Sequence, residues 1–543
     1  MAAKTLAWIL PAALLAACAP LPPVDGVPAA PSAAGSASKP AKTGKTDPAI
    51  TSALVNLLQN EDREKVDLTQ AQGTPLGDIL VVGSPIGYAL RNRYLNIGIP
   101  IAEGLSRDTD PDLRAKLVEM ARWERDPEVR SGALVALARQ RRLDDLRVFN
   151  EALTNIDPAV RFGAMEAFTV WGHPAQALPL LSAAAERDHE PILKVYAASA
   201  IAKLGDKSGL LRLRSFLDDP SWLVRAMAAR YLGDYGTAED YGLLVGRIGR
   251  EQTNDFTSAE FCIAALKLFP KTVPPQQASA PQQASQQDAN PEPPVPLGDD
   301  TLVITAPRLK IHAEGLDPQI NATLLRLLQQ RMDSRPGALE ASDPSLQALN
   351  NLTTLTGYGL KTRYTELGFL LTEGLAGVKD YQLAQELENV AKLGSNVQTR
   401  AAAMVALAYT HDLQYLSLFQ GAGQDPNITV RFGALEALLT LGDPSVQLLV
   451  SNIARTDPSI VVQLYAAAAD WKMGDIYGRE ILLRHYQDND WFVRAMADHY
   501  LGELGGGDEY DRLFTQLTGE DNPQAKAELC SALARLQRFK EGD

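Results

Sequence analysis

The sequence predicts an all-α fold, an α-solenoid of helical hairpins built as two tandem, duplicated arrays. Three observations predict it. First, the chain is written twice: Arg161-Phe162-Gly163-Ala164-Met165-Glu166-Ala167 returns as Arg431-Phe432-Gly433-Ala434-Leu435-Glu436-Ala437, and Trp222-Leu223-Val224-Arg225-Ala226-Met227-Ala228 as Trp491-Phe492-Val493-Arg494-Ala495-Met496-Ala497. The offset stays between 268 and 270 residues. Second, each copy contains a shorter unit, marked by Arg130, Arg161, Lys194 and Arg225 at spacings of 31, 33 and 31, and by Arg400, Arg431, Gln463 and Arg494 at 31, 32 and 31. Third, the units carry start and stop signals for a helix.

The chain begins with features of export. Lys4 precedes an apolar stretch from Thr5 to Ala17, which is too short for a permanent membrane span. Leu15-Ala16-Ala17-Cys18 resembles a bacterial lipoprotein lipobox, and the resemblance implies cleavage after residue 17 and lipidation of Cys18. Ala19 after the cysteine resembles the outer-membrane signal of lipoproteins in Gram-negative bacteria. Residues 18–46, rich in Pro, Ala, Ser, Gly and Lys, bury too little apolar surface to fold and read as a flexible tether.

The first array is expected over 47–270 and the second over 317–543. Asp recurs four to six residues before the marker, often followed by Pro: Asp126-Pro127, Asp157-Pro158, Asp219-Pro220, Asp425-Pro426, Asp457-Pro458. Asp caps free N–H groups at a helix start, and Pro fits the first turn. Eleven residues after the marker comes Gly (172, 205, 236, 442, 474, 505), the residue that ends a helix in the left-handed conformation. A second apolar segment follows each Gly. Two short helices per unit cannot bury an apolar face alone, so neighbouring units must stack. The pattern Asp-Pro-x-x-Val-Arg-x-x-Ala-x-x-Ala-Leu-x-x-Leu-Gly is similar to the short HEAT repeat, the type also found in phycobilisome lyases. That resemblance implies a solenoid and leaves the activity open, because such arrays host scaffolds, adaptors and some enzymes.

The leading part of each copy departs from the repeat. Gly87-Tyr88-Ala89-Leu90-Arg91-Asn92-Arg93-Tyr94 matches Gly357-Tyr358-Gly359-Leu360-Lys361-Thr362-Arg363-Tyr364, and Glu103-Gly104-Leu105 matches Glu373-Gly374-Leu375. A long helix capping the end of its own array is expected there. Residues 271–316, rich in Pro and Gln, read as a disordered linker, with Thr301 to Thr305 as a short extended piece.

Composition narrows the function. A net charge of −14 without basic runs argues against nucleic acid. The six histidines show no zinc spacing, and no nucleophile elbow, P-loop or dinucleotide fingerprint occurs, so neither metal, cofactor nor catalysis is expected. Cys262 and Cys530 fall at core positions of a fifth unit and read as small hydrophobes rather than a disulfide. The marker arginines stand in a first turn, where the macrodipole disfavours a cation. A ladder of pairs with the capping Asp residues or a carbonyl of the adjacent unit satisfies them better than a row of guanidinium groups lining a concave surface for an acidic partner. Trp222 and Trp491, with Tyr231 and Tyr500 nine residues on and Arg225 and Arg494 between, are candidate partner-binding residues; packing between units is the competing role for the tryptophans. The function expected is a lipid-anchored scaffold or adaptor that binds protein partners in the bacterial envelope. A bilin-lyase-like enzyme and a cell-wall glycan-binding lipoprotein are the alternatives.

Overall fold

In a computed structural model the described residues are 46–59, 71–82, 90–91, 93–94, 97–105, 111–251, 254–272, 317–333, 360, 363–364, 367–378 and 380–540. The lipobox with Cys18, nearly all of the tether, and residues 273–316 with Thr301 to Thr305 lie outside them. The described residues form 25 α-helices and no strand.

Two layers run through the chain. The inner layer consists of α3 (Gly98–Leu105), α5 (Pro127–Arg139), α7 (Pro158–Trp171), α9 (Pro191–Lys203), α11 (Trp222–Tyr235) and α13 (Asp255–Thr272) in the first copy. In the second copy it consists of α15 (Leu367–Gly374), α17 (Val397–Ala408), α19 (Ile428–Leu441), α21 (Ile460–Lys472), α23 (Trp491–Leu504) and α25 (Pro523–Leu536). The outer layer is α1 (Pro48–Gln59), α4 (Pro111–Trp123), α6 (Leu146–Leu153), α8 (Pro174–Arg187), α10 (Lys207–Ser215) and α12 (Ala238–Ile248), then α14 (Pro318–Asp333), α16 (Tyr381–Leu393), α18 (Leu416–Ala422), α20 (Gln447–Thr456), α22 (Ile476–His485) and α24 (Gly507–Phe514). One short helix, α2 (Pro75–Val81), belongs to neither layer.

The inner helices are apolar on nearly every face, as in α9 (Ile192, Leu193, Val195, Ala197, Ala198, Ile201), because each is covered by two inner neighbours and an outer partner. Small residues let the inner backbones touch. A Cβ added to Gly163 would lie 2.5 Å from the Ser131 Cβ, one on Gly433 2.5 Å from the Ala401 Cβ, and one on Gly502 2.4 Å from the Ala532 Cβ. The Gly and Ala positions of the repeat are therefore crossing points between successive inner helices.

The start and stop signals act with one refinement each. Asp157 is the N-cap of α7, but Asp219, Asp425 and Asp457 each accept the N–H two residues on and turn the chain just before the helix. Gly172, Gly205, Gly442 and Gly474 are left-handed, with φ of 81°, 93°, 70° and 101°. Gly236 and Gly505 are extended instead, and a Cβ there would meet the carbonyl oxygens of Leu232 and Leu501 at 2.3 and 2.4 Å.

Among the described residues, the leading helices do not cap their own arrays. The leading helix α3 packs against α25, the last inner helix of the other copy, and α15 packs against α13 in the same way. Of the expected long helix over the leading segment, the described residues show helix at 90–91, 93–94 and Gly98–Leu105, and the partner of Gly98–Leu105 is the opposite array. The chain thus closes into a ring joined head to tail at two seams. An apolar end face needs covering, and another array covers it as well as a cap does. Helix α2 reaches furthest across, packing on α19, α21 and α23 with the Ser459 hydroxyl donating to Asp78 Oδ2 at 2.6 Å.

Candidate functional site: two seams and an exposed row

The marker residues form the ladder. Arg161 donates to Asp188 of the next unit through Nε (2.8 Å) and Nη2 (2.9 Å), while Nη1 donates to the carbonyls of Asn155 and Ile156 before its own helix. Arg431 repeats this with Asp457, Asp425 O and Pro426 O. Arg225 uses Glu251 at 2.8 Å, and Arg494 uses Glu520 at 2.7 and 2.8 Å. Each guanidinium joins two units and offsets the unfavourable first-turn dipole by holding carbonyls and a carboxylate at once. The side-chain amide of Gln463 keeps one of these bonds, to Asp457 O at 2.5 Å.

The six candidate partner-binding residues do not gather into one patch. Tyr231 and Tyr500 are buried, Arg225 and Arg494 are rungs of the ladder, and Trp222 and Trp491 are half-buried beside the seams. Trp222 stacks at a tilt on Phe256 (5.5 Å) and meets the edge of Tyr364, from the other copy, at 6.2 Å. Trp491 meets Phe492 at 5.7 Å, and Phe492 in turn meets Tyr94, again from the other copy, at 4.8 Å.

The seam bridged by residues 273–316, here the linked seam, is centred on Arg363. Its guanidinium pairs with Glu260 at 2.6 and 3.0 Å and with Glu373 at 2.7 Å, and the Tyr364 hydroxyl donates to Glu260 at 3.0 Å. Lys267 pairs with Asp234 at 2.7 Å. Burial pushes the Glu260 carboxyl up, but Arg363 outweighs it and holds the group below its ordinary range. For Glu373 burial wins, and its carboxyl is raised.

The other, here the terminal seam, is where the first and last described helices meet. Arg93 pairs with Glu528 at 2.6 Å through both Nε and Nη2 and with Glu103 at 3.0 Å, and Arg535 reaches Glu103 at 2.8 Å. His499 Nδ1 lies 2.9 Å from Glu528, and Asp47 N–H donates to Gln537 at 2.9 Å. Burial, then the nearby Arg93, lowers His499 to about 4, so the ring is neutral at pH 7 and Nδ1 carries the proton shared with Glu528. Burial opposes ionisation of Glu528, yet Arg93 and His499 bring it to about 2. Both oxygens of Asp498 and the hydroxyls of Tyr94 and Tyr500 are buried without a hydrogen-bond partner. Burial, then the charges of Glu520 and Glu528, pushes Asp498 well above the carboxylate range.

Among the described residues no group of His, Cys, Asp and Glu is arranged for a metal ion. Cys262 and Cys530 are buried free thiols, both raised to about 12 by burial. What sequence reasoning missed is on the outside. Leu413, Leu448, Ile476 and Tyr477 are 50 to 77% exposed, and they stand at or just before the first turn of three successive outer helices, α18, α20 and α22. Arg455 lies over the Tyr477 ring at 4.9 Å. An apolar residue at the wet start of an outer helix is the signal that marks them.

Residues 177–264 match the HEAT repeats family, so HEAT repeats are present in the first array. No curated protein matches the chain. Among solved structures it is similar to the karyopherin Kap121p bound to the SUMO protease Ulp1p, at 15% identity over 91% of this chain and 50% of that one, with a TM-score of 0.32. It is also similar to human deoxyhypusine hydroxylase in complex with glycerol, at 17% identity over 68% and 96%, with a TM-score of 0.23. The chain spans about half the length of the karyopherin it matches.

Proposed function

We propose that this HEAT-repeat ring is a non-enzymatic scaffold, anchored by lipid at Cys18 to the outer membrane of a bacterial envelope and binding a protein partner there. The observation that carries the binding role is the row of Leu413, Leu448, Ile476 and Tyr477 on consecutive repeats. Large apolar side chains scattered singly mean little, whereas Leu413 and Ile476 stand at equivalent positions just after the capping Asp412 and Asp475, with Leu448 exposed on the repeat between them, so that neighbouring repeats offer apolar side chains to a partner. An Arg beside an aromatic ring is also a frequent composition of interface anchors. The anchoring role rests on Leu15-Ala16-Ala17-Cys18 and on the unfolded composition of the tether.

Crosslinking in the native envelope followed by mass spectrometry tests the reading. Replacing Leu448 and Tyr477 together by Glu is expected to cut capture of the partner at least tenfold while leaving the melting temperature unchanged. Undiminished capture, or no capture by the natural chain, overturns the binding role. Cys18→Ala is expected to move the protein from the membrane to the soluble fraction, and retention in the membrane overturns the anchor.

A further inference from the structure

We infer that the terminal seam is exchangeable, so that residues 46–105 of one chain dock on residues 486–540 of a second copy and join the two head to tail. The linked seam joins elements that residues 273–316 hold together covalently, so its two faces always remain near each other. A linear chain has no second connection across the terminal seam; its two faces meet only through the ring's own curvature. When that seam opens, its faces remain complementary: Arg93 and Tyr94 on one side, Glu528, Phe492 and His499 on the other. The same faces on a second copy offer identical contacts. A head-to-tail interface of this kind closes a larger ring or extends a chain of molecules, and exchange of an identical element is a low-cost route to either.

The chemistry of the seam favours opening here rather than at its counterpart. Tyr364 donates to Glu260, but the corresponding Tyr94 hydroxyl has no hydrogen-bond partner. Ala229 in the linked seam corresponds to Asp498, whose buried oxygens are unpaired by hydrogen bonds. Such groups regain water when the seam parts, which lowers the cost of opening. Helix α2 leaves with the segment, since its hold on α21 includes the Ser459–Asp78 hydrogen bond.

Two full-length variants test this. Arg93→Glu spoils the leading face, and Glu528→Arg spoils the receiving face; each weakens its own seam roughly a hundredfold or more, because a buried like-charge contact replaces an ion pair. Mixed, the intact leading face of the second variant meets the intact receiving face of the first. Light scattering is expected to reveal a species of twice the chain mass in the mixture and in neither variant alone; no such species overturns the inference. Natural chains supply a measurement that does not depend on the variants folding. Isotopically heavy and light protein are mixed at high concentration, then crosslinked. Heavy-to-light links between residues 46–105 and 486–540 are expected, and links confined to single chains overturn it. Asp498→Ala is expected to slow the mixing about tenfold, as loss of a buried unpaired group would, and an unchanged rate contradicts the account of why this seam opens.

Discussion

The two seams are built from matching parts and differ in how completely those parts are satisfied. Arg363 joins Glu260 to Glu373 in one, with the Tyr364 hydroxyl on Glu260; Arg93 joins Glu528 to Glu103 in the other, where the Tyr94 hydroxyl has no hydrogen-bond partner. Around these shared groups, Arg230 is replaced by His499, Lys267 by Arg535, Asp234 by Glu503 and Ala229 by Asp498. The linked seam keeps permanent cations around its carboxylates. The terminal seam has one neutral imidazole and one extra buried carboxyl in the same space. A seam tied by its own linker and a seam that must find itself across the ring have diverged in polar chemistry and in aromatic contacts, Tyr364 meeting Trp222 and Phe256 where Tyr94 meets Phe492. Closure by charge rather than by oil has a cost, since burying ions gives back in desolvation much of what pairing gains.

The largest effects should follow from removing the central arginines. Arg93→Met and Arg363→Met each strand buried carboxylates, and each is expected to cost about 3–5 kcal/mol in denaturant unfolding. The comparison lies in shape. Small-angle scattering should record an expanded, opened ring for Arg93→Met and a smaller change for Arg363→Met, whose seam is tethered. Equal expansion in both would end the distinction between the seams.

Next comes acid. The depressed carboxyls Glu103 and Glu528 contribute stability that is full above about pH 4.5 and is lost as pH falls below it, for Glu528 down to about 2. His499, lowered from 6.5 to about 4, adds a loss in the same direction: the opened state takes up the proton first, so closure weakens as pH falls through 6.5 toward 4. Glu503, raised to about 7 by burial, acts oppositely, weakening closure as pH rises from 4.5 to 7. His499→Gln removes the imidazole's share alone. It is expected to lose about 3 kcal/mol less than the natural chain between pH 6.5 and 4 in paired denaturation curves. Parallel losses would mean that His499 is not held neutral.

A smaller change moves one seam toward the other. Ala229→Asp introduces into the linked seam the carboxyl that Asp498 contributes to the terminal one, and a cost of about 1–3 kcal/mol is expected for a buried group lacking a partner. An unaltered denaturation midpoint would show that the linked seam has room to solvate it.

The unit length, the caps and the ladder were legible because they are local. Asp, Arg and Gly recur within one or two helices, and a periodic pattern needs only its own neighbours to be read. Ring closure was not, because Arg93 and Glu528 stand 435 residues apart and no spacing announces such a pair. Its trace was present in another form. Gly87 to Tyr94 and Trp222 to Ala228 resemble their counterparts more than the repeat requires. Described residues of the two blocks face each other across the seams, Tyr364 with Trp222 and Tyr94 with Phe492, so that each copy is the other's partner. The exposed row was missed for a different reason: Leu448 and Ile476 look like ordinary apolar positions until the outer helix is known to turn them to water.

The smallest predicted effect tests whether the tryptophans belong to packing or to recognition. Trp222 touches Phe256 within its own array and Tyr364 across the linked seam, whereas Trp491 meets Phe492, which itself carries the contact to Tyr94. A fully buried aromatic truncated to Ala costs about 3–5 kcal/mol, and both rings are half-buried, so Trp222→Ala is expected to cost about 2 kcal/mol and Trp491→Ala about 1 kcal/mol. The difference arises because one ring is itself a seam contact and the other stands one residue behind it. Thermal unfolding of the two variants side by side measures it. Equal and negligible costs would free both rings from packing and return them to the surface as anchors for a partner. Unequal costs in the stated order would assign Trp222 to the seam that its own linker already secures.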